Sequence, residues 1–215
     1  TFQTVLPKEW SLVTILRDPK DRILSQINDL KTASDQDVES IPETTVGKRD
    51  LMLKIKKMSS DEILSIDNNW IKEIFINTQT KMVAGFFGKT KTFFEKTDDE
   101  ILNIASNNLN NFLAVGIHDK FFESIALLHY KLRIPFDGSV AKSNVRNYEP
   151  ENVSENILKQ ITEYDQIIYK QAKEIFYKQY FEMLEGFVTD NFQNNRIEKK
   201  QTLLMSDDFI GSAWH

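Results

Sequence analysis

The stretch "SLVTILRDPKDRILSQINDL", residues 11 to 30, limits the fold more than any other part of the chain. An apolar run, Leu12 to Leu16, stops at Arg17. After Asp18 and Pro19, Ile23, Leu24, Ile27 and Leu30 recur at helical spacing. The run is short, holds β-branched residues and is flanked by polar sequence, so it predicts a buried parallel strand. Pro19 suits a first helical turn, where its missing N–H would have had no partner anyway. The stretch therefore reads as strand, tight turn and helix. A second unit of the same kind follows at "FLAVGI", Phe112 to Ile117, with Phe121, Ile125, Leu128 and Leu132 on the helix after it. Strands separated by helices predict an α/β parallel sheet flanked by helices, with helix dominating the residue count.

Other segments fill in the helical part. Ser59 with Glu62 and Thr97 with Glu100 make capping-box signatures, and Trp70, Ile74 and Phe75 supply an apolar face between them. Residues 154 to 191 predict one strong helix with Tyr164, Ile168, Ala172 and Ile175 on a stripe. From Lys31 to Lys57 the sequence is polar, contains Pro42 and Gly47, shows little periodicity before Leu51, and predicts a mobile excursion. A chain of 215 residues can bury one substantial core, so residues 1–200 are expected to form one domain. Residues 201–215 are expected to be a linker or the start of a further segment, because "DDFIGSAWH" ends as an apolar stretch begins.

Charge and composition narrow the chemistry. Acids exceed bases by five, so no general affinity for nucleic acid is expected and any anion site has to be local. The chain has no cysteine, which removes disulfide and thiolate chemistry and fits a reducing cytoplasm. It shows no apolar run long enough to span a bilayer.

Arg17 is the first candidate for such a site. In open α/β sheets ligands collect outside the carboxyl ends of strands, where a helix N-terminus offers N–H groups to an anion. The planar fork of Arg17 suits a phosphate, and Ser25, about two turns along, could add a hydroxyl. Arg22 could be a second phosphate ligand or pair with Asp18 across the first turn. The plainer reading is an Arg17–Asp18 ion pair with Ser25 as a surface serine.

These residues do resemble a known family. "TILRDPKDRILSQI" is similar to the 3′-phosphate-binding segment of sulfotransferases that use 3′-phosphoadenosine 5′-phosphosulfate, and its Arg-Asp-Pro-x-x-Arg form resembles the carbohydrate-type branch that includes heparan 2-O-sulfotransferases. "NTQTKMVAG" resembles that family's Asn-x-Gln-Thr-Arg-x-Leu-x-Gly segment, with Lys81 in place of arginine. "FLAVGIHDKFFESIALL", "AKSNVRNYEP" and "ITEYDQIIYKQAKEIF" follow in the family's order, with His118 where threonine is common. The resemblance covers residues 6 to 181. It implies a P-loop-like fold, that nucleotide as cosubstrate, no metal, and transfer of a sulfuryl group to the hydroxyl of a carbohydrate or other small-molecule acceptor. It further implies that Arg17 and Ser25 hold the 3′ phosphate, with Lys142, Asn144 and Arg146 reaching the nucleotide from a closing loop. Without the resemblance, that loop reads as a solvated basic patch.

Two parts of such an enzyme are not found in the sequence. The family has a lysine-bearing phosphate loop after its first strand and a proton-accepting histidine or carboxylate, both before the Arg-Asp-Pro strand. The sixteen residues before Arg17 contain neither glycine nor histidine. These elements are expected upstream of Thr1, in a longer polypeptide, with this chain inactive by itself. The catalytic residues therefore stay unassigned. Gly88-Lys89-Thr90 reads like the end of a Walker A loop, but Val83 stands where that motif needs glycine, so it reads as a loop after a helix. His118 falls at a strand's carboxyl end, and His129 falls within an amphipathic helix. Two alternatives remain open: a P-loop kinase-like nucleotide enzyme, and a non-catalytic module of the same fold in a larger assembly.

Overall fold

The computed structural model describes residues 11–39, 47–85, 96–138 and 152–210, with side chains at these positions other than 35, 37 and 190–210. Strand β1 (Val13–Leu16) leads into helix α1 (Pro19–Thr32), followed by α2 (Asp35–Glu39), α3 (Lys48–Ile55), α4 (Ser60–Leu64), α5 (Asn69–Phe75) and α6 (Thr78–Val83). Helix α7 (Asp98–Asn110) then leads to β2 (Ala114–Ile117), a 3₁₀ turn (His118–Lys120), α8 (Phe121–Leu132), α9 (Glu155–Ile161) and α10 (Glu163–Ile210). The architecture is α/β and helix-rich. Among the described residues the sheet is two parallel strands, with Val13 opposite Ala114 and Leu16 opposite Ile117.

Local chemistry sets the element ends. Pro19 opens α1 and Asp18 caps it, accepting from the backbone N–H groups of Lys20 and Asp21. Both expected capping boxes form reciprocally: the Ser59 N–H donates to Glu62 Oε2 at 2.7 Å, and the Thr97 N–H to Glu100 Oε2 at 2.7 Å.

Strand β2 is buried along its whole length, and α8 and α10 pack on it. Gly116 allows the close approach of α8, since a Cβ there would stand 2.7 Å from Ser124 Cβ and 3.0 Å from Ile15 Cγ1. The Ser124 hydroxyl donates to the Ile117 carbonyl and accepts from the Ile117 N–H, both at 2.9 Å, closing the strand end onto α8. The Gln179 amide does similar work at the strand's start, accepting from the Val115 N–H and donating to the Leu113 carbonyl. Tyr169 meets Asp119, just past the end of β2. Helix α10 therefore runs antiparallel to β2.

Among the described residues two apolar clusters form the core. One gathers Leu16, Val83, Leu109, Val115, Ile117, Leu127, Ile168 and Phe176 around the sheet, α7, α8 and α10. The other gathers Ile23, Ile27, Met52, Ile55, Ile63, Ile71, Phe75 and Ile161 among α1, α3, α4, α5 and α9.

Four expectations change here. Strand β1 is not buried along its length as expected: Leu16 is buried, but Thr14 and Ile15 are half-buried and Val13 is exposed. Within residues 31–57, α2 and α3 are formed and bury Val38, Met52 and Ile55, because sparse apolar residues suffice where a neighbouring core receives them. Helix 154–191 is divided at Thr162 into α9 and α10, and α10 continues through residue 200 to Ile210. The division is imposed from a distance: the Asn77 N–H donates to the Ile161 carbonyl at 2.8 Å, and Asn77 Oδ1 accepts from the Tyr164 N–H at 3.0 Å and the Asp165 N–H at 3.3 Å.

Candidate functional site

The residues at the carboxyl ends of the two strands define the candidate site. Arg17 follows β1, and the Gln79 side-chain amide grips its backbone at both groups. The Arg17 N–H donates to Gln79 Oε1 and the Gln79 amide donates to the Arg17 carbonyl, each at 2.9 Å. With its backbone fixed, Arg17 keeps a buried Nε that has no hydrogen-bond partner among the described residues. A buried cationic donor in that state is costly unless something anionic meets it. Ser25 lies half-buried on α1, within two turns of the same strand end. Lys142, Asn144 and Arg146 lie outside the described residues, as do Lys89 and its neighbours.

Two readings of this corner need correction. Asp18 takes the first-turn N–H groups of α1, so they are not open to an incoming phosphate. Arg22 does not pair with the Asp18 side chain, and although it borders the cavity along β1, its terminal nitrogens are engaged by protein acceptors. Its guanidinium turns inward, donating to Gln26 Oε1 at 2.8 Å, the Ile74 carbonyl at 3.1 Å and the Phe75 carbonyl at 3.2 Å. The last carbonyls of α5 lack intrahelical donors, which is why an arginine is drawn to them.

Arg22 belongs to a buried polar seam that sequence reasoning left without roles. Asp165 is wholly buried and accepts from the Thr80 N–H at 2.7 Å, the Thr80 hydroxyl at 2.8 Å and the Gln79 N–H at 3.3 Å, capping α6. Asn77, in the left-handed region at φ 46°, caps α10 in return. Arg22 Nε stands 4.0 Å from Asp165 Oδ2. Burial lowers the Arg22 pKa, with Asp165 opposing it, and burial raises that of Asp165 against its hydrogen bonds and Arg22. Burial likewise lowers the Lys81 pKa, while Asp98, Asp165 and Glu73 pull it back up. Most of the "NTQT" segment is thus framework: Asn77 and Thr80 join helices, and Gln79 presents Arg17. Asp165 falls in the third position of α10, where a carboxylate favours the helix dipole, but a sequence read as one helix over 154–191 does not show that position.

At the end of β2, His118 opens the 3₁₀ turn, exposed, with its ring 5.7 Å from that of Phe121. Asp119 accepts from the Tyr169 hydroxyl at 2.7 Å. Burial first, then this bond and the charges of Asp119, Asp18 and Asp21, push the Tyr169 pKa well above its ordinary value, so Tyr169 is a permanent donor. His129 is drawn into a helix end: its Nδ1 lies 2.9 Å from the Pro135 carbonyl and its ring packs on Phe136.

Among the described residues two cavities adjoin these strand ends. One, of about 460 Å³, lies between Asp18 and the α10 residues Gln166, Tyr169, Lys170, Lys173 and Tyr177. The other, of about 440 Å³, runs along β1 against Met82, Val83 and Phe112, with Arg22 and Gln79 among its lining. Charged, polar and aromatic side chains line the first, yet the surface of both is mainly apolar. Among the described residues no group of three or more histidine or acidic side chains could hold a metal ion, and no helix is long and apolar enough to cross a membrane.

The fold and site define a helix-rich α/β protein with a fixed arginine at the end of a parallel strand. Comparison of the chain with family models, with curated proteins and with solved structures finds no match to any of the three.

Proposed function

We propose that this chain is a sulfotransferase domain with a P-loop-like fold, binding 3′-phosphoadenosine 5′-phosphosulfate through Arg17 and Ser25. The observation behind this reading is Arg17 itself. Its backbone is held by Gln79, and its Nε is buried without a hydrogen-bond partner among the described residues, at the carboxyl end of a parallel strand. A terminal phosphate satisfies such a group with charge-assisted hydrogen bonds. The nucleotide supplies the activated sulfate on its 5′ side, so the 3′ phosphate is a handle for binding and alignment. Lys142, Asn144 and Arg146 form the loop side of the proposal, and the cleft beside Tyr169 and Lys173 is where an acceptor hydroxyl would approach. The order of the "LRDPKDR", "NTQTK" and "VGIHDKFFES" segments supports the same reading.

The test is calorimetry with adenosine 3′,5′-bisphosphate on the wild-type protein and on Arg17→Ala. Loss of one charge-assisted contact is expected to weaken binding about 10- to 150-fold. Equal affinity in the two proteins would remove Arg17 from the site. A wild-type protein that binds adenosine triphosphate instead would favour a kinase-like enzyme.

A further inference from the structure

Helix α10 has two apolar stripes on opposite sides. Ile168, Ala172, Phe176 and Met183 face the core and are buried. Tyr177, Phe181, Leu184 and Val188 are 39%, 59%, 38% and 54% exposed. At 3.6 residues per turn these four fall within about 60° of arc, centred about 150° from the buried stripe. The outward face of a helix packed on a core is normally polar. Here it is polar only as far as Lys173, with Gln166 and Lys170 before it, and becomes apolar from Tyr177.

The spacing of the outward stripe is four, three and four residues, which is the repeat of a helix-pairing seam. The segment is braced for such a role. Tyr130 of α8 packs its ring 5.2 Å from that of Phe187, and Lys131 reaches Glu182 at 3.7 Å. Gly186 admits the Tyr130 hydroxyl, which would stand 2.7 Å from a Cβ there. The stripe is therefore held in place before any partner arrives.

Flanking charges select the partner and its direction. Lys178 and Glu185, both exposed, lie on one shoulder of the seam, and Tyr180 and Phe187 lie on the other. In a parallel pair of α10 helices, each Lys178 would face Lys173 of the second copy, placing like charges together. In an antiparallel pair with its twofold axis between residues 182 and 183, Tyr177 meets Val188, Phe181 meets Leu184, and Lys178 faces Glu185 of the second copy. Twofold symmetry repeats each contact. We propose that the Tyr177–Phe181–Leu184–Val188 face of α10 pairs antiparallel with the same face of a second copy of this chain, its register fixed by Lys178 against Glu185. This proposal does not rest on the nucleotide reading, although Tyr177 also lines the cavity beside Tyr169 and Lys173.

Sedimentation equilibrium of the whole chain across micromolar concentrations tests it. A reversible dimer is expected, and Leu184→Arg, at an exposed position, is expected to give a folded monomer by circular dichroism. Lys178→Glu and Glu185→Lys each place like charges across the axis and should weaken dimerisation at least about tenfold. The double exchange should restore it. A monomer throughout the concentration range would overturn the proposal. So would a dimer that survives Leu184→Arg, or one that ignores the single charge reversals, or a double exchange that fails to restore pairing.

Discussion

Arg22 and Asp165 are buried together yet stand 4.0 Å apart, each bonded chiefly to something else. Burial therefore governs both, and the Asp165 pKa lies above its ordinary value. An unfolded aspartate titrates near about 3.9, so between that pH and the raised native value the folded chain binds more protons than the unfolded one. The contribution of Asp165 to stability thus increases as pH falls through that window and decreases as pH rises. Compared with Asp165→Asn, the wild-type protein should gain stability on acidification toward pH 4, by at most about 1.4 kcal/mol per pH unit. Urea unfolding of both proteins across that range measures the difference; a difference independent of pH would show that Asp165 titrates as an ordinary aspartate. Asp165→Ala should be more severe, on the order of 3–5 kcal/mol, because it leaves Arg22 without its buried counter-charge and α6 without its cap.

At the scale of elements, what was local in sequence was legible and what was tertiary was not. Pro19 opening α1, the capping boxes at Ser59 and Thr97, and the strands around Ile15 and Val115 each depend on residues within a few positions of one another. The division of α9 from α10 depends on Asn77, more than eighty residues away, and the inward turn of Arg22 depends on the carbonyls of α5. No periodicity within the affected segment carries either fact. The candidate site was legible in the same measure. Arg17 stands at the strand end where its sequence placed it, but the Gln79 grip that orients it is a long-range contact. The Gly116–Ser124 pair is a further case, a strand-to-helix closure made by contacts between two elements. Gly116→Ala should destabilise the protein by about 1–3 kcal/mol through overpacking against Ser124 and Ile15, and should leave the proposed binding of adenosine 3′,5′-bisphosphate unchanged once folded. Thermal unfolding and calorimetry on the same sample check both halves; an affinity loss without a stability loss would place Gly116 in the site.

The described residues form two apolar clusters joined along a polar seam. Asn77 is the seam's tie: its backbone holds Ile161 of α9, its side chain caps α10, and it lies between α5 of one cluster and α6 packed on the other. Ile161, Phe75 and Ile71 meet within the second cluster, so loosening the tie should free α5 and α9 before it disturbs β2, which α8 and Gln179 hold independently. Native-state hydrogen exchange resolves such local openings from global unfolding. In Asn77→Ala, first-turn amides of α10 should lose about 1–3 kcal/mol of protection through the lost cap bonds, and amides of α5 and α9 a similar amount through the strained left-handed backbone between them, whereas amides of β2 and α8 should lose less. Asn77→Gly separates the two causes, since glycine accepts φ 46° without strain and lacks the capping oxygen. Equal loss of protection in every element would mean that the clusters open as one unit and that the seam does not divide them.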